Sequence, residues 1–292
     1  MYKLVAIDLD GTLLNSFGEV TDNTKEALLE AKKQGVEIVL ASGRPISSTK
    51  SLAVELGVDN YIISGNGAVV YDIQNEEAIY DRFLSKEQVL EVADICEANS
   101  IFYNIYTEEE VITKSLSYNV LFYHKENIKK IEEKRTHINV VQDVRKYIVE
   151  SGKDKFLKIT VCDESKTIFN GIIRKLKEIG NLDILNVEHM SRKKFKIGTE
   201  EVSIEYHYTE ITNENVNKWT AIEYLINKLN IKREDVVAIG DNINDKEMIV
   251  NSGLGIVMGN SNPLMKEIGN VIVSDNNSEG VLEAFNKYIL KW

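Results

Sequence analysis

Short, wholly apolar runs alternate with amphipathic helical patterns at both ends of this 292-residue chain, and that alternation limits the possible folds more than any other feature. Residues 4–7, Leu-Val-Ala-Ile, form an uninterrupted apolar run of the kind found in a strand buried on both faces of a parallel sheet. Residues 21–34 follow with Ala27, Leu28 and Ala31 on one helical face, a capping Thr21 at the start and Gly35 at the stop. Residues 36–41 read as a second strand, 45–56 as a second helix and 61–63 as a third strand. The same grammar returns later. Residues 218–229 space Ala221, Ile222, Leu225, Ile226 and Leu229 along one face of a helix. Strands are expected at 236–239, 255–258 and 271–273, with helices at 245–251 and 278–290. Strands and helices in this alternation predict an α/β fold with a doubly wound, Rossmann-like parallel sheet. Ligands bind such sheets outside the carboxyl ends of the strands.

The middle of the chain follows another rule. A helix is expected over 85–99, with Ser85 and Gln88 spaced as a capping box. Residues 101–106 and 111–114 alternate like a hairpin around the acidic turn Thr107-Glu108-Glu109-Glu110. A strand over 156–162, a helix over 165–177 and strands near 182–187 and 195–197 come next, while 115–152 reads as further helices. Helix then paired strands, twice, predicts an inserted α+β domain with an antiparallel sheet. The insert is placed at 84–209, and the core is assembled from 1–83 and 210–292.

A net charge of −11 argues against a protein that grips nucleic acid or an anionic membrane. It leaves room for a small anionic substrate, because a metal ion and a few local cations reverse the field inside one cleft. Hydrophobic residues at 43% and charged residues at 28% are those of a soluble globular protein, and no run has the length of a membrane span. The apolar pattern begins at Leu4, which leaves no room for a signal peptide. Cys96 and Cys162 stand far apart without metal-ligand spacing, so a reducing cytoplasm is expected for a monomer or homodimer.

Asp8 and Asp10 sit just past the first strand, ahead of Gly11-Thr12. Side chains two apart in extended backbone point the same way, so both carboxylates can face one small volume. Like charges that close call for a cation, and oxygen ligands select Mg2+ or a similar hard ion. A carboxylate held by such an ion can attack phosphorus while a neighbouring acid protonates the leaving oxygen. Alone, Asp-x-Asp-Gly is also what an acidic turn looks like. Three further elements count against a mere turn. Ala41-Ser42-Gly43-Arg44 places a hydroxyl and backbone amides at a helix start, an anion site of phosphate size. Lys218, opening the helix after the insert, can set a cation on a phosphoryl group. Gly240-Asp241-Asn242-Ile243-Asn244-Asp245 crowds carboxylates at another strand's end, where they need a metal or a partner.

In this order and setting, the four elements resemble the haloacid dehalogenase-like superfamily, in particular its Cof-like branch with a type IIB cap. Gly65-Asn66-Gly67-Ala68, the segment from Gly253 to Asn260, and Ser278-Glu279-Gly280-Val281 add to the likeness. The resemblance implies a phosphatase in which Asp8 is the nucleophile, forms an aspartyl-phosphate and ligates Mg2+. Asp10 protonates the leaving alcohol, then activates water, and its carbonyl ligates the metal. It implies that Thr12 orients Asp10, and that Ser42, Gly43 and the Leu9 amide bind phosphoryl oxygens. Arg44 and Asn66 belong to the pocket, Asn244 touches phosphate, Lys218 neutralises charge, Asp241 ligates Mg2+ and Asp245 supports the metal. The substrate implied is a small phosphorylated metabolite: a sugar phosphate, a nucleotide or a phosphorylated cofactor.

The chain departs from the family around Lys218, where a Pro and a Gly before the lysine and a Gly after it are replaced by Asn213, Asn215 and Trp219. Trp219 either packs the helix start or narrows the pocket mouth, and Arg44 either lines the pocket or pairs with a carboxylate. Phe102, Tyr103, Tyr106, Tyr206 and Tyr208 lie on expected strands of the insert, mostly as sheet packing. His189 and His207 read as satisfied polar residues. Asp10, the extra acid, speaks against dehalogenation. A sugar phosphomutase on the same fold, or a metabolite-binding protein without activity, remains an alternative at this point.

Overall fold

Strand β1 (Leu4–Ile7) is buried along its whole length, as its uninterrupted apolar run requires. The structure, a computed structural model, describes residues 2–128, 131–132, 135–185, 191–197 and 200–290, with backbone alone for 126, 191–197 and 200–204. It divides into two compact units, Met1–Asp81 with Val216–Trp292 and Arg82–Asn215. In the first unit β1 leads to α1 (Asp22–Lys33), whose N-cap Thr21 accepts a hydrogen bond from the Thr24 amide. Strand β2 (Glu37–Ala41), α2 (Ile46–Leu56) and β3 (Tyr61–Ser64) follow. Two short strands then arrive without a counterpart in the sequence reading, β4 (Val69–Asp72) and β5 (Glu77–Asp81).

The second unit opens on α3 (Lys86–Ala98), capped reciprocally by Ser85 and Gln88. Strands β6 (Phe102–Thr107) and β7 (Glu110–Thr113) form the expected hairpin. Helix α4 (Tyr118–Ile128) comes next, then β8 (His137–Val140), α5 (Val144–Ser151), β9 (Phe156–Asp163) and α6 (Lys166–Leu176). The unit closes with β10 (Leu182–Ile184), β11 (Ser191–Ile197) and the long β12 (Glu200–Asn213), which keeps Glu210 to Asn213 in this sheet. The strand order is β10-β12-β9-β6-β7-β8, with β11 paired to β12. The sheet is antiparallel apart from β8, which runs parallel to β7. Val92 and Cys96 of α3 and Ile172 of α6 pack on Ile105, Ile159 and Ile211 of the sheet. On its other side Lys158 pairs with Glu210 and lies 4.7 Å from the centre of the Tyr106 ring. The aromatics contact one another: Phe102 and Tyr206 both contact Tyr118, Tyr206 also contacts Tyr208, and Tyr103 is buried. His207 stacks on Phe169; the expected strand end at Val187 and His189 lie outside the described residues.

The first unit resumes with α7 (Lys218–Leu229), β13 (Val236–Gly240), α8 (Lys246–Asn251), β14 (Leu254–Val257), α9 (Pro263–Ile268), β15 (Val271–Ile272) and α10 (Gly280–Ala284). In place of one helix over 278–290, α10 widens into a π-turn at Phe285–Ile289. The sheet order is β15-β14-β13-β1-β2-β3-β4-β5. Every pair from β15 to β3 is parallel, and β4 and β5 add an antiparallel edge. Strand β1 lies between β13 and β2, pairing Leu4 with Val236 and with Glu37. The carboxyl ends of β13, β1, β2 and β3 consequently stand side by side. Among the described residues no helix is long and apolar enough to cross a membrane.

Candidate active site

The ladder of β1 continues one residue past the strand, since the Asp8 amide donates to the Ile239 carbonyl at 3.0 Å. The chain then turns sharply, with Leu13 and Leu14 donating back to the carbonyls of Asp8 and Leu9. Gly11 carries the turn at φ 90°, a left-handed conformation that favours glycine. A β-carbon there would meet Asp241 Oδ2 at 2.5 Å, so the position also has no room for a side chain. Asp8 is buried beneath this turn, 2.5 Å from Lys218 Nζ. Lys218, the first residue of α7, is wholly enclosed and donates a second hydrogen bond to Asp245 Oδ1 at 2.6 Å. The other oxygen of Asp245 accepts from the amides of Asp241 and Asn242 at 2.9 and 3.1 Å, which pins the turn after β13.

Asp241 faces Asp8 across this cluster and accepts a hydrogen bond from the Thr12 hydroxyl at 3.1 Å. The Thr12 hydroxyl is thus placed on Asp241; the resemblance had implied a role for it in orienting Asp10. One oxygen from each of Asp8, Asp241 and Asp245 lies within 4.8 Å of the others. Three carboxylates here share the single ammonium of Lys218. Burial, with the charge of Asp245 next, raises the Asp8 pKa to about 7 although Lys218 pulls it down. Burial and the charges of Asp8 and Asp245 raise Asp241 to about 9. Burial also works against the Lys218 ammonium, but Asp245 and Asp8 outweigh it and hold its pKa above the ordinary lysine value. An oxygen-only donor set with surplus negative charge is one that a hard divalent cation fits.

Asp10 does not share this enclosed space. Its side chain is 61% exposed, and both its oxygens accept from Arg44: Nε to Oδ2 at 2.7 Å and Nη2 to Oδ1 at 2.6 Å. Extended backbone stops at Asp8, so Asp10 sits in the turn, still near enough for its charge to help raise the Asp8 pKa. Arg44 thus pairs with a carboxylate, the alternative its sequence position had left open. Its backbone is tied on both sides, the amide to Ser42 Oγ at 3.1 Å and the carbonyl to the Gly65 amide at 3.1 Å. Gly43 lies between these anchors, and Ser42 is buried. The Ser42 carbonyl takes the amide of Asn66, a left-handed residue at φ 59° whose side-chain oxygen accepts from Asn244 at 3.1 Å. Gly67, at φ 102°, lies against the Asn217 carbonyl with no space for a β-carbon, which brings this loop to the start of α7.

The sequence profile of haloacid dehalogenase-like hydrolases matches residues 5–285. The chain belongs to that family. This hydrolase is 27% identical over 286 residues to the phosphatase YwpJ of Bacillus subtilis, covering 96% of this chain and 97% of that one. It is 25% identical over 288 residues to the 5-amino-6-(5-phospho-D-ribitylamino)uracil phosphatase YcsE of Bacillus subtilis, covering 99% and 96%. The fold is shared with the subclass IIB sugar phosphatase BT4131, at a TM-score of 0.74 and 19% identity over 98% of each chain.

Trp219 is a packing residue: it is buried in the apolar cluster of the first unit, with the Arg233 guanidinium 5.5 Å from its ring centre. Asn260 ends one of the family-like segments, and its amide reaches the Gly11 carbonyl at 2.8 Å and Asp241 Oδ2 at 3.4 Å. An asparagine just past a core strand was the available signal; its partners were not readable.

Proposed function

We propose that this hydrolase is a Mg2+-dependent phosphatase that cleaves a small phosphate monoester through an aspartyl-phosphate on Asp8. One observation carries the reading: a buried Asp8 lies 2.5 Å from a buried lysine, in a cluster holding two more carboxylates than cations can balance. Asp8 and Asp241 would hold Mg2+, with the Asp10 carbonyl beside them, while Asp245 fixes Lys218 and the turn bearing Asp241. When bound, the ion supplies positive charge against the phosphoryl oxygens.

The chain's own groups supply the rest. An oxygen of Asp8 attacks phosphorus, and the bond to the ester oxygen breaks as Asp10 gives that oxygen its proton. Water then attacks the aspartyl-phosphate, Asp10 takes a proton from it, and phosphate leaves with Asp8 restored. Lys218 neutralises charge on Asp8 and the phosphoryl group. Ser42, whose oxygen already accepts from Arg44, has its hydroxyl proton available for a phosphoryl oxygen, alongside the amides of Leu9 and Gly43 and the side chain of Asn244. Phosphoryl transfer gains mostly from such positioning and charge neutralisation.

The substrate is a phosphorylated metabolite carrying an alkyl phosphate, in keeping with the sugar and ribityl phosphates named for relatives. The test is phosphate release across a panel of sugar, nucleotide and cofactor phosphates, with and without Mg2+. Release should need Mg2+ and vanish in Asp8→Asn. A folded Asp8→Asn protein with full activity would overturn the reading.

A further inference from the structure

We propose that Asn260 is a positioning residue for the divalent cation, holding the Asp241 carboxylate against the turn that follows Asp8; this rests on the phosphatase reading above. The side-chain nitrogen of Asn260 donates to the Gly11 carbonyl at 2.8 Å and lies 3.4 Å from Asp241 Oδ2. Its side-chain oxygen accepts from the Asn276 amide at 3.2 Å, and that bond fixes which end of the amide faces Asp241. Asn276 is itself anchored, its side chain donating to the Leu14 carbonyl at 2.8 Å. The loop after β14 and the loop before α10 thereby clasp the turn between Asp8 and Leu14 from outside.

Asp241 is consequently steered at both oxygens. Thr12 donates to Oδ1 from the turn itself, and Asn260 approaches Oδ2 from β14's end. Gly11 leaves no slack between them, because any β-carbon would strike Asp241. A carboxylate that ligates a cation is held in its binding orientation by such outer hydrogen bonds, and their loss typically weakens the metal by 10- to 100-fold. Thr12 alone cannot replace Asn260, since one bond to one oxygen leaves the carboxylate free to swing about it. The side-chain partners of Asn260 are Gly11, Asp241 and Asn276, not Asp8, so its effect should fall on cation affinity.

The experiment is calorimetric titration of the full chain with Mg2+, alongside Mg2+ dependence of phosphate release, for wild type, Asn260→Ala and the near-isosteric, uncharged Asn260→Leu. Both variants remove the donor. Each should bind Mg2+ roughly 10- to 100-fold more weakly, while kcat at saturating Mg2+ stays within about threefold of wild type. Asn260→Thr, which restores a short donor, should regain part of the affinity. Unchanged Mg2+ affinity in both the Ala and Leu variants, or a fall in kcat at saturation without a change in affinity, overturns the inference and leaves the phosphatase reading standing. A wild-type chain that binds no Mg2+ overturns both.

Discussion

Arg44 grips the carboxylate of Asp10 side-on, with two hydrogen bonds of 2.7 and 2.6 Å, while Arg44's own backbone is fixed by Ser42 and Gly65. A largely exposed carboxylate is thereby kept in one orientation by a largely buried guanidinium. Truncation in Arg44→Met should release Asp10 to other rotamers. If Asp10 protonates the leaving group, kcat/KM should fall about 10- to 100-fold for an alkyl phosphate, whose alkoxide needs a proton. It should fall less than roughly threefold for p-nitrophenyl phosphate, whose leaving group departs unaided. Equal losses on both substrates would show that Arg44 does not act through Asp10.

The pKa values of Asp8 and Asp241 have a direct thermodynamic consequence. Both stand above the unfolded value of 3.8, at about 7 and about 9. A raised carboxyl pKa means that the folded state holds its proton more tightly, so the contribution to stability is complete below the unfolded value. It is lost as pH rises through about 7 and then about 9. The metal-free protein should therefore lose thermal stability towards alkaline pH, and Mg2+ should offset that loss. At a hundredfold excess over its Kd, Mg2+ should raise Tm by roughly 5–10 °C near pH 8. The rise should be clearly smaller near pH 5, where protons compete for the same carboxylates. Calorimetric scans at the two pH values decide it; equal shifts would contradict the raised values.

Among the described residues Lys218 supplies the only cation that pairs with the three-carboxylate cluster, and it is fully buried. Lys218→Met keeps the side-chain length but leaves Asp8 and Asp245 facing one another with no cation between them. Unfolding in urea should show a loss of about 3–5 kcal/mol. Adding Asp245→Asn to that variant should return part of the loss, because the second buried charge is gone. Additive effects in the double-mutant cycle would mean that the two residues do not interact.

Trp219 should separate stability from catalysis. Its burial in the apolar cluster of the first unit, with Arg233 over the ring, predicts that Trp219→Ala costs about 3–5 kcal/mol in urea unfolding. The KM of the surviving folded protein should stay within about twofold of wild type, because packing, not substrate, is what the indole touches. A large rise in KM with little change in stability would place Trp219 at the pocket mouth.

Much of the first unit was legible because a strand buried on both faces must be an unbroken apolar run, and β1, β2 and β13 are such runs. Strand β5 escaped notice for the opposite reason: Glu-Ala-Ile-Tyr-Asp is half exposed and shows no clean alternation. Helix α9, of six residues, is too short to display a helical period. In the site, Asp8, Lys218, Asp241 and Asp245 were recognisable from residue type and order. What hid the partners of Thr12, Arg44 and Asn260 is that each depends on which loop lies beside which once the sheet has formed. Thr12 meets Asp241 across 229 residues of chain, and no local pattern carries that information.

The place of β1 between β2 and β13 also sets a schedule for synthesis. At roughly 5–20 residues per second, a ribosome delivers Asp241 on the order of 10–50 s after Thr12. Through that interval one side of β1 is a bare, apolar strand edge with its amides and carbonyls unpaired, the form of backbone most prone to pair with another chain. Chains released before β13 should accordingly aggregate more readily than full-length chains.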